Sequence, residues 1–197
     1  MATTSPSLST SVTVAVRIRP LSEEERSSGV CSCCHALNDN IVTIKKEATN
    51  GGYLKSQQGG LSEYAFDAVF DEFSTQREVY ERTTRPYLSN LIQGLNVTVF
   101  AYGATGAGKT HTMMGNARSD DEIAGRAEAG IIPNALVDLF ALLKEKKTTA
   151  AHGEDYSVSV SFIEVYNEQV YDLLEVCSLY FVNLNLLLYN ILMIPIE

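Results

Sequence analysis

The sequence predicts an α/β fold in which helices flank a mostly parallel central sheet. Three observations support this prediction. Strand-like and helix-like segments alternate along the chain, one apolar and β-branched segment has the character of a buried strand, and a glycine-rich loop joins that strand to a helix. The chain has 197 residues, enough for one domain, and 45% of them are hydrophobic, enough for a core.

The first part of the chain is predicted to consist mainly of strands. Residues 1–11 are small and polar, and we expect a disordered arm there. Residues 12–21 alternate apolar and polar side chains until Pro20 stops the pattern. Residues 40–46 and 64–70 are predicted to be further strands because glycine-containing turns flank them.

A helical segment is predicted over Ser74–Gly94. Thr75 and Glu78 have the spacing of a capping box at its start, and the glycine is a suitable C-terminal stop. Pro86 lies inside the segment and removes a backbone hydrogen bond. The segment is therefore either one kinked helix or two short ones.

The C-terminal part of the alternating pattern contains a helix and then a mixed segment. Residues 130–147 are predicted to be a helix with lysines at its end. Residues 156–174 begin as an alternating strand and are then predicted to turn helical. Glu164, Glu168 and Asp172 would share a helix face; acid–base chemistry is one interpretation, but a structural role is preferred.

The segment with the clearest chemistry is "GATGAGKT", residues 103–110, directly after the predicted buried strand 97–102. Its spacing, G-x-x-x-x-G-K-T, is that of a phosphate-binding P-loop. Gly106 and Gly108 permit backbone angles that let N–H groups converge on an anion. Lys109 would contact phosphate oxygens, and the Thr110 hydroxyl would bind Mg²⁺. The alternative is a glycine-rich turn with a solvated lysine.

The overall charge excludes one large class of function. The formal net charge is -9, and the sequence contains no basic stripe. Neither property suits a nucleic-acid-binding protein. Nucleic acid is therefore not an expected partner.

The cysteines Cys31, Cys33 and Cys34 lie close together, followed by His35. A zinc site is one interpretation of this cluster. The only other cysteine is Cys177, and no second pair has metal-ligand spacing, so reduced thiols are the preferred interpretation.

Four motifs together resemble the N-terminal half of a kinesin motor domain: "VRIRPL" at residues 16–21, "VFDEFSTQREVY" at 69–80, "FAYGATGAGKTHTM" at 100–113 and "FIEVYNEQVYDLL" at 162–174. The resemblance covers residues 12–174. Within it, "YGATGAGKT" resembles the kinesin-eight branch. The implied fold is that of a P-loop NTPase, here an incomplete motor domain.

The resemblance implies a binding site for ATP and Mg²⁺. Without it, Arg17 and Arg19 would be interpreted as solvated charges at a strand end; with it, they and Pro20 would pack about the adenine, opposite His111. Thr110 would be the metal ligand. The nucleotide-binding residues implied are Gly103, Ala104, Thr105, Gly106, Ala107, Gly108, Lys109, Thr110, His111, Arg17, Arg19 and Pro20.

The family motifs that the sequence lacks limit the activity we expect. The family's switch I and switch II strings do not occur here, so no catalytic residue is identified, and the chain alone is expected to be an inactive ATPase. The family implies microtubules as partner and a cytoplasmic, cytoskeletal location. The alternatives are another P-loop NTPase, or a non-motor interaction or membrane-tethered fragment.

Residues 175–197 match no kinesin pattern. Within this hydrophobic tail, Val176–Ile194 carries no charge and is long enough to cross a bilayer, but its asparagines are costly in lipid. A segment foreign to the family is the preferred interpretation, ahead of a membrane anchor.

The resemblance also has a consequence for folding. In the family's sheet, the strand before the P-loop lies between two strands of the C-terminal half, and those strands are absent here. We therefore expect that strand to lack both neighbours and the chain to be unstable or aggregation-prone.

Overall fold

The computed structural model describes residues 12–45, 60–116, 128–149, 156–174 and the backbone of 192–194. The predicted arm and most of the tail lie outside these residues. The elements are, in chain order, β1 Val14–Arg17, α1 Glu23–Ser27, β2 Cys34–Asn38, β3 Ile41–Lys45, β4 Leu61–Ala65, β5 Ala68–Phe70, α2 Gln76–Thr83, a 3-10 turn Arg85–Tyr87, α3 Leu88–Ile92, β6 Phe100–Ala101, α4 Lys109–Met114, α5 Ile131–Thr149, β7 Ile163–Tyr166, β8 Gln169–Asp172 and β9 Leu192–Ile194.

The central sheet has four strands in the order β5-β1-β9-β6, and every neighbouring pair is parallel. Ala15 of β1 is opposite Ala68 of β5 on one side and Met193 of β9 on the other. The buried side chains of β1 and β5 pack against Val79 of α2 and Ile131 of α5. The predicted α/β class with a mostly parallel sheet is confirmed.

The strand before the P-loop has a neighbour, which corrects our expectation that it lacks both. Phe100 and Ala101 of β6 are opposite Leu192 and Met193 of β9. The neighbour comes from residues 192–194, near the end of the C-terminal tail. The sheet position beside β6 is therefore filled from within the chain.

The predicted strand 64–70 is two strands that belong to different sheets. β4 pairs with β3 in an antiparallel three-stranded sheet, and β5 pairs with β1. The break is fixed by polar contacts: the Asp67 carboxylate accepts the Val14 N–H at 2.7 Å, and the Asn40 amide donates to the carbonyl of Asp67 at 2.7 Å. Asp67 therefore lies at the junction between the antiparallel sheet, which ends with β4, and the parallel sheet, which begins with β5.

The predicted helix 74–94 is interrupted, as its proline suggested. The capping box is present at the start of α2: the Thr75 hydroxyl accepts the Glu78 N–H, and the Glu78 carboxylate accepts the Thr75 N–H. Pro86 lies in the 3-10 turn that separates α2 from α3. The alternative with two short helices is the correct one.

No helix in the described part of the chain is both long and apolar enough to cross a membrane.

Residues 163–172 form a β-hairpin, so the predicted turn to helix in this segment is wrong. β7 and β8 are antiparallel, with Val165 opposite Val170. Asn167 and Glu168 form the two-residue turn, with φ of 49° and 63°. Positive φ at both turn positions suits the right-handed twist of a hairpin. The carboxylates of this segment consequently do not share a helix face.

Candidate functional site

The glycine-rich loop connects β6 to α4 and depends on left-handed backbone. Gly106 and Gly108 have φ of 89° and 87°, and no atom lies within 4 Å of the position where a side chain would begin at either residue. A non-glycine residue would be strained there. The Ala107 N–H donates to the Ala104 carbonyl at 3.3 Å, which closes a turn inside the loop.

Lys109, the first residue of α4, folds back over this loop. Its ammonium donates to the carbonyls of Gly103 at 2.8 Å and Ala104 at 2.6 Å. The Thr110 side chain is exposed at the next position. Both acceptors of Lys109 are neutral carbonyls, which the oxygens of an anion bound beside the loop can replace.

A cavity of about 340 Å³ opens between the end of β1, the start of α2 and the start of α4. It brings together seven of the twelve predicted site residues: Arg17, Arg19, Pro20, Ala107, Gly108, Lys109 and His111. Thr105 and Gly106 instead line a second cavity, beside Cys31, Cys33 and Cys34. Gly103, Ala104 and Thr110 line neither of these two cavities.

Arg17 is fixed inside the cavity wall and is not a solvated charge at a strand end. Its guanidinium donates to Gln76 Oε1 at 2.8 Å, to Thr112 Oγ1 at 3.1 Å and to the Ser74 carbonyl at 3.2 Å. Burial lowers the pKa of Arg17, while the nearby Glu128 carboxylate raises it. The group remains a cation, and its three bonds connect β1, α2 and α4.

Arg19 is oriented by an ion pair with α1. Its guanidinium lies 2.6 Å from Glu25 Oε1. The hydrogen bond from Arg19, followed by the backbone bond from Ser22, lowers the pKa of Glu25 to about 2. Glu25 thus has two functions, since it also completes the capping box of α1 with Ser22. The adjacent Pro20 is exposed on the cavity wall.

His111 also lines the cavity and contacts α2. The Gln76 amide donates to the His111 carbonyl at 2.6 Å and lies 3.2 Å from the ring Nδ1. Burial and the positive charge of Arg17 lower the pKa of His111, and Glu128 opposes them. The imidazole is therefore held neutral near pH 7 and offers a flat ring surface to the cavity.

Sequence reasoning missed the residues that hold these walls together. Gln76 bonds both Arg17 and His111, and Thr112 bonds Arg17 again. Glu128 also lines the cavity, as a carboxylate near both Arg17 and His111. Gln76 falls inside the quoted motif at residues 69–80, and that position was the available signal. The prediction used the motif for a helix cap and for the family resemblance, and assigned no contact to Gln76.

The thiols of the cysteine cluster differ in burial. Cys31 is exposed and Cys34 is buried, and the sulfurs of Cys33 and Cys34 are 3.7 Å apart. Burial, with the contact from Cys33, raises the pKa of Cys34 to about 11. Within the described ranges, no group of three or more His, Cys, Asp or Glu side chains is arranged to hold a metal ion.

The loop, its lysine and the adjoining cavity define a protein of the P-loop nucleotide-binding class. The family model for the kinesin motor domain matches residues 17–184, so the chain belongs to the kinesin motor domain family, whose members are ATP-binding microtubule motors. A solved structure described as that of a fast kinesin superposes with a TM-score of 0.66 and 33% identity. That match covers 83% of this chain and 41% of the other.

Two curated relatives show how much of a complete protein this chain spans. Kinesin-like protein KIF18A of Mus musculus is 41% identical over 172 residues, covering 82% of this chain and 18% of that protein. Kinesin-like protein KIN-8A of Oryza sativa subsp. japonica is 37% identical over 163 residues, covering 83% of this chain and 19% of that protein. The chain therefore spans about a fifth of the length of these relatives. The family-model match extends past Leu174, to residue 184.

Proposed function

We propose that this chain binds ATP with Mg²⁺ through residues 103–110 and the adjoining cavity. The observation that supports this most strongly is the position of Lys109. It lies on a loop with two left-handed glycines, and it lines the same cavity as Arg17, Pro20 and His111. Phosphate needs a cation and a close backbone approach, and a base needs a flat, partly apolar wall. Both requirements are met by residues of one cavity.

Each group has a separate task in this proposal. Lys109 would exchange its two carbonyl acceptors for phosphate oxygens, and the exposed Thr110 hydroxyl would be a ligand of Mg²⁺. Arg19, Pro20 and His111 would contact the base from two sides. Bound Mg²⁺ would neutralise part of the phosphate charge. The fit is supported by the open space beside Gly106 and Gly108, which lets the loop approach an anion closely.

Binding is proposed without rapid hydrolysis. Phosphoryl transfer depends on groups that place the attacking water and stabilise the charge that develops. The two switch strings that provide these groups in the family do not occur in this sequence. We therefore propose ATP-driven movement on microtubules and a cytoskeletal location only for a whole protein that contains this motor-domain sequence.

A titration of the full chain with a fluorescent ATP analogue tests the proposal. We expect saturable binding that requires Mg²⁺. Replacement of Lys109 by Ala removes a charge-assisted contact worth about 1.5–3 kcal/mol, which should weaken binding roughly ten- to hundredfold. The matched control is Lys144→Ala, because Lys144 is exposed on α5 and lies outside the cavity. Equal affinity in the two variants, or no binding by the wild type, would contradict the proposal.

A further inference from the structure

The strand β9 connects the two walls of the candidate site. β1 ends at Arg17, which lines one wall, and β6 ends at Ala101, two residues before the loop begins at Gly103. The sheet order places β9 between them. Adjacent strands lie about 4.8 Å apart, so β1 and β6 are held roughly 9–10 Å apart by this one intervening strand.

The pairing of β9 is specific on both sides. Leu192, Met193 and Ile194 are opposite Val14, Ala15 and Val16 of β1. Leu192 and Met193 are also opposite Phe100 and Ala101 of β6. Ala15 and Val16 are fully buried, so the β1 side of this contact lies in the protein interior. Backbone N–H and C=O groups buried there need partners, and β9 is the strand placed to provide them.

The composition of the segment suits this position. Leu192, Met193 and Ile194 are all apolar, as in a strand that is covered on both faces. Pro195 follows them in the sequence and has no N–H to donate, which limits how far such a ladder can extend. The stretch was predicted to be foreign to the family, yet it has the composition of a buried parallel strand.

We propose that Leu192–Ile194 is a positioning strand of the nucleotide site: by pairing with β1 and β6 at once, it sets the distance between Arg17 and the phosphate-binding loop. This inference rests on the proposed function for its effect on ATP, but the docking of the strand itself does not. The partner that the gap between β1 and β6 accepts is a short apolar segment of the same chain in parallel orientation. Leu192–Ile194 is thereby a working part of the site.

The docking is tested in the full chain by a disulfide between register partners. In a background with the four native cysteines changed to Ser, Ala15→Cys with Met193→Cys should form an intramolecular disulfide under oxidised glutathione, because directly opposed parallel residues lie within disulfide range. The control, Val14→Cys with Met193→Cys, is shifted by one residue, which turns the two side chains to opposite faces. Mass spectrometry of the linked peptides identifies the bond. No bond in the first pair, or equal yields in both, would overturn the docking.

The positioning effect is tested by nucleotide affinity. Met193→Pro removes a ladder N–H in the middle of β9 and should weaken Mg·ATP binding about tenfold. The control, Ser62→Pro, removes a ladder N–H of β4 in the other sheet and should lower thermal stability without changing affinity. The pair at positions 15 and 193 gives a second measurement, since its oxidised form, with the strand locked, should bind ATP at least as tightly as its reduced form.

The outcomes separate this inference from the proposed function. A disulfide in the register pair with unchanged affinity in Met193→Pro would overturn the positioning role. Loss of ATP binding in Met193→Pro, with the secondary structure retained by circular dichroism, would support it. If wild type and Lys109→Ala both fail to bind ATP, the proposed function fails and the positioning role with it, while the disulfide result still decides whether the strand docks.

Discussion

Gly106 and Gly108 are the residues on which the shape of the loop depends most directly. Both have left-handed backbone with open space beside them. The neighbouring atoms therefore leave room for a methyl group at either position, but the backbone of a non-glycine residue would be strained at this φ. The sequence made both glycines predictable, because the motif fixes their spacing. It did not show how Lys109 is held, since its two carbonyl acceptors belong to a turn that only the folded loop forms.

Replacement of Gly108 by Ala tests this backbone requirement. We expect the free energy of unfolding to fall by about 1–2 kcal/mol, the cost of a left-handed non-glycine residue, and nucleotide affinity to fall with it because the loop relaxes. The matched control is Gly94→Ala, which has φ of 85°, equally open surroundings and a position after α3. It should cost similar stability in urea unfolding while leaving affinity unchanged. An equal loss of affinity in both variants would contradict a local role for Gly108.

The Arg19–Glu25 pair predicts a dependence on pH. The folded-state pKa of Glu25 is about 2, below its ordinary 4.5, so the unfolded chain binds more protons between these values. The stabilisation is therefore fully present above pH 4.5 and is lost as the pH falls toward 2. Urea unfolding of wild type and Glu25→Gln should differ at pH 6 and converge at low pH. Glu24→Gln controls for loss of an exposed charge on α1; a constant difference between wild type and Glu25→Gln at every pH would refute the assignment.

The partners of Arg17 show where residue-level prediction stops. The arginine was identified from its motif, but Gln76 and Thr112 lie 59 and 95 positions away in the chain. Pattern and spacing describe local chemistry, whereas these contacts exist only because β1, α2 and α4 meet at one end of the sheet. The contacts that form the cavity wall could therefore be identified only from the structure.

At the scale of elements, the prediction failed where local patterns were ambiguous. The segment 156–174 contains polar and apolar residues that fit both a helix and a strand, and its turn, Asn167-Glu168, lacks the glycine that usually signals a hairpin. β9 was unpredictable for a different reason. A three-residue apolar strand has no periodicity of its own, and its place in the sheet depends on β1 and β6, which are far away in sequence.

The hairpin turn offers a test of its conformation. Glu168 has φ of 63°, so Glu168→Gly should relieve strain and stabilise the hairpin by up to about 1 kcal/mol. Hydrogen exchange of the β7 and β8 amides should then slow by roughly fivefold. Asn167→Gly is the control and should gain less, because Asn tolerates left-handed backbone. Faster exchange after Glu168→Gly would show that the turn has a different geometry.

At the scale of the whole molecule, the hairpin leaves apolar surface uncovered. Phe162, Ile163, Val165, Tyr166 and Val170 are each more than half exposed, between 56% and 71%. Among the described strands, β7 and β8 pair only with each other, and an exposed apolar patch on such a hairpin favours association between copies. The expectation that the chain is aggregation-prone thus remains a prediction, now placed on the hairpin instead of on the strand before the loop.

Sedimentation velocity at several concentrations tests this prediction. The wild type should self-associate, and Val165→Lys with Val170→Lys should reduce the association, because these residues face each other across the hairpin and would add charge to its surface. The control is Val137→Lys with Phe140→Lys, two residues of α5 that are about half exposed. A monomeric wild type, or equal dispersal by both variants, would contradict the role of the hairpin.

The central claim is that the loop and its cavity form a working nucleotide site within this chain. Hydrogen exchange of the full chain, with and without Mg·ATP, measures this most directly because it locates the bound ligand along the backbone. We expect slower exchange in peptides that cover residues 97–114 and the start of α2, and unchanged exchange in the hairpin 163–172. Uniform exchange with and without nucleotide, or protection confined to regions away from the loop, would contradict the claim.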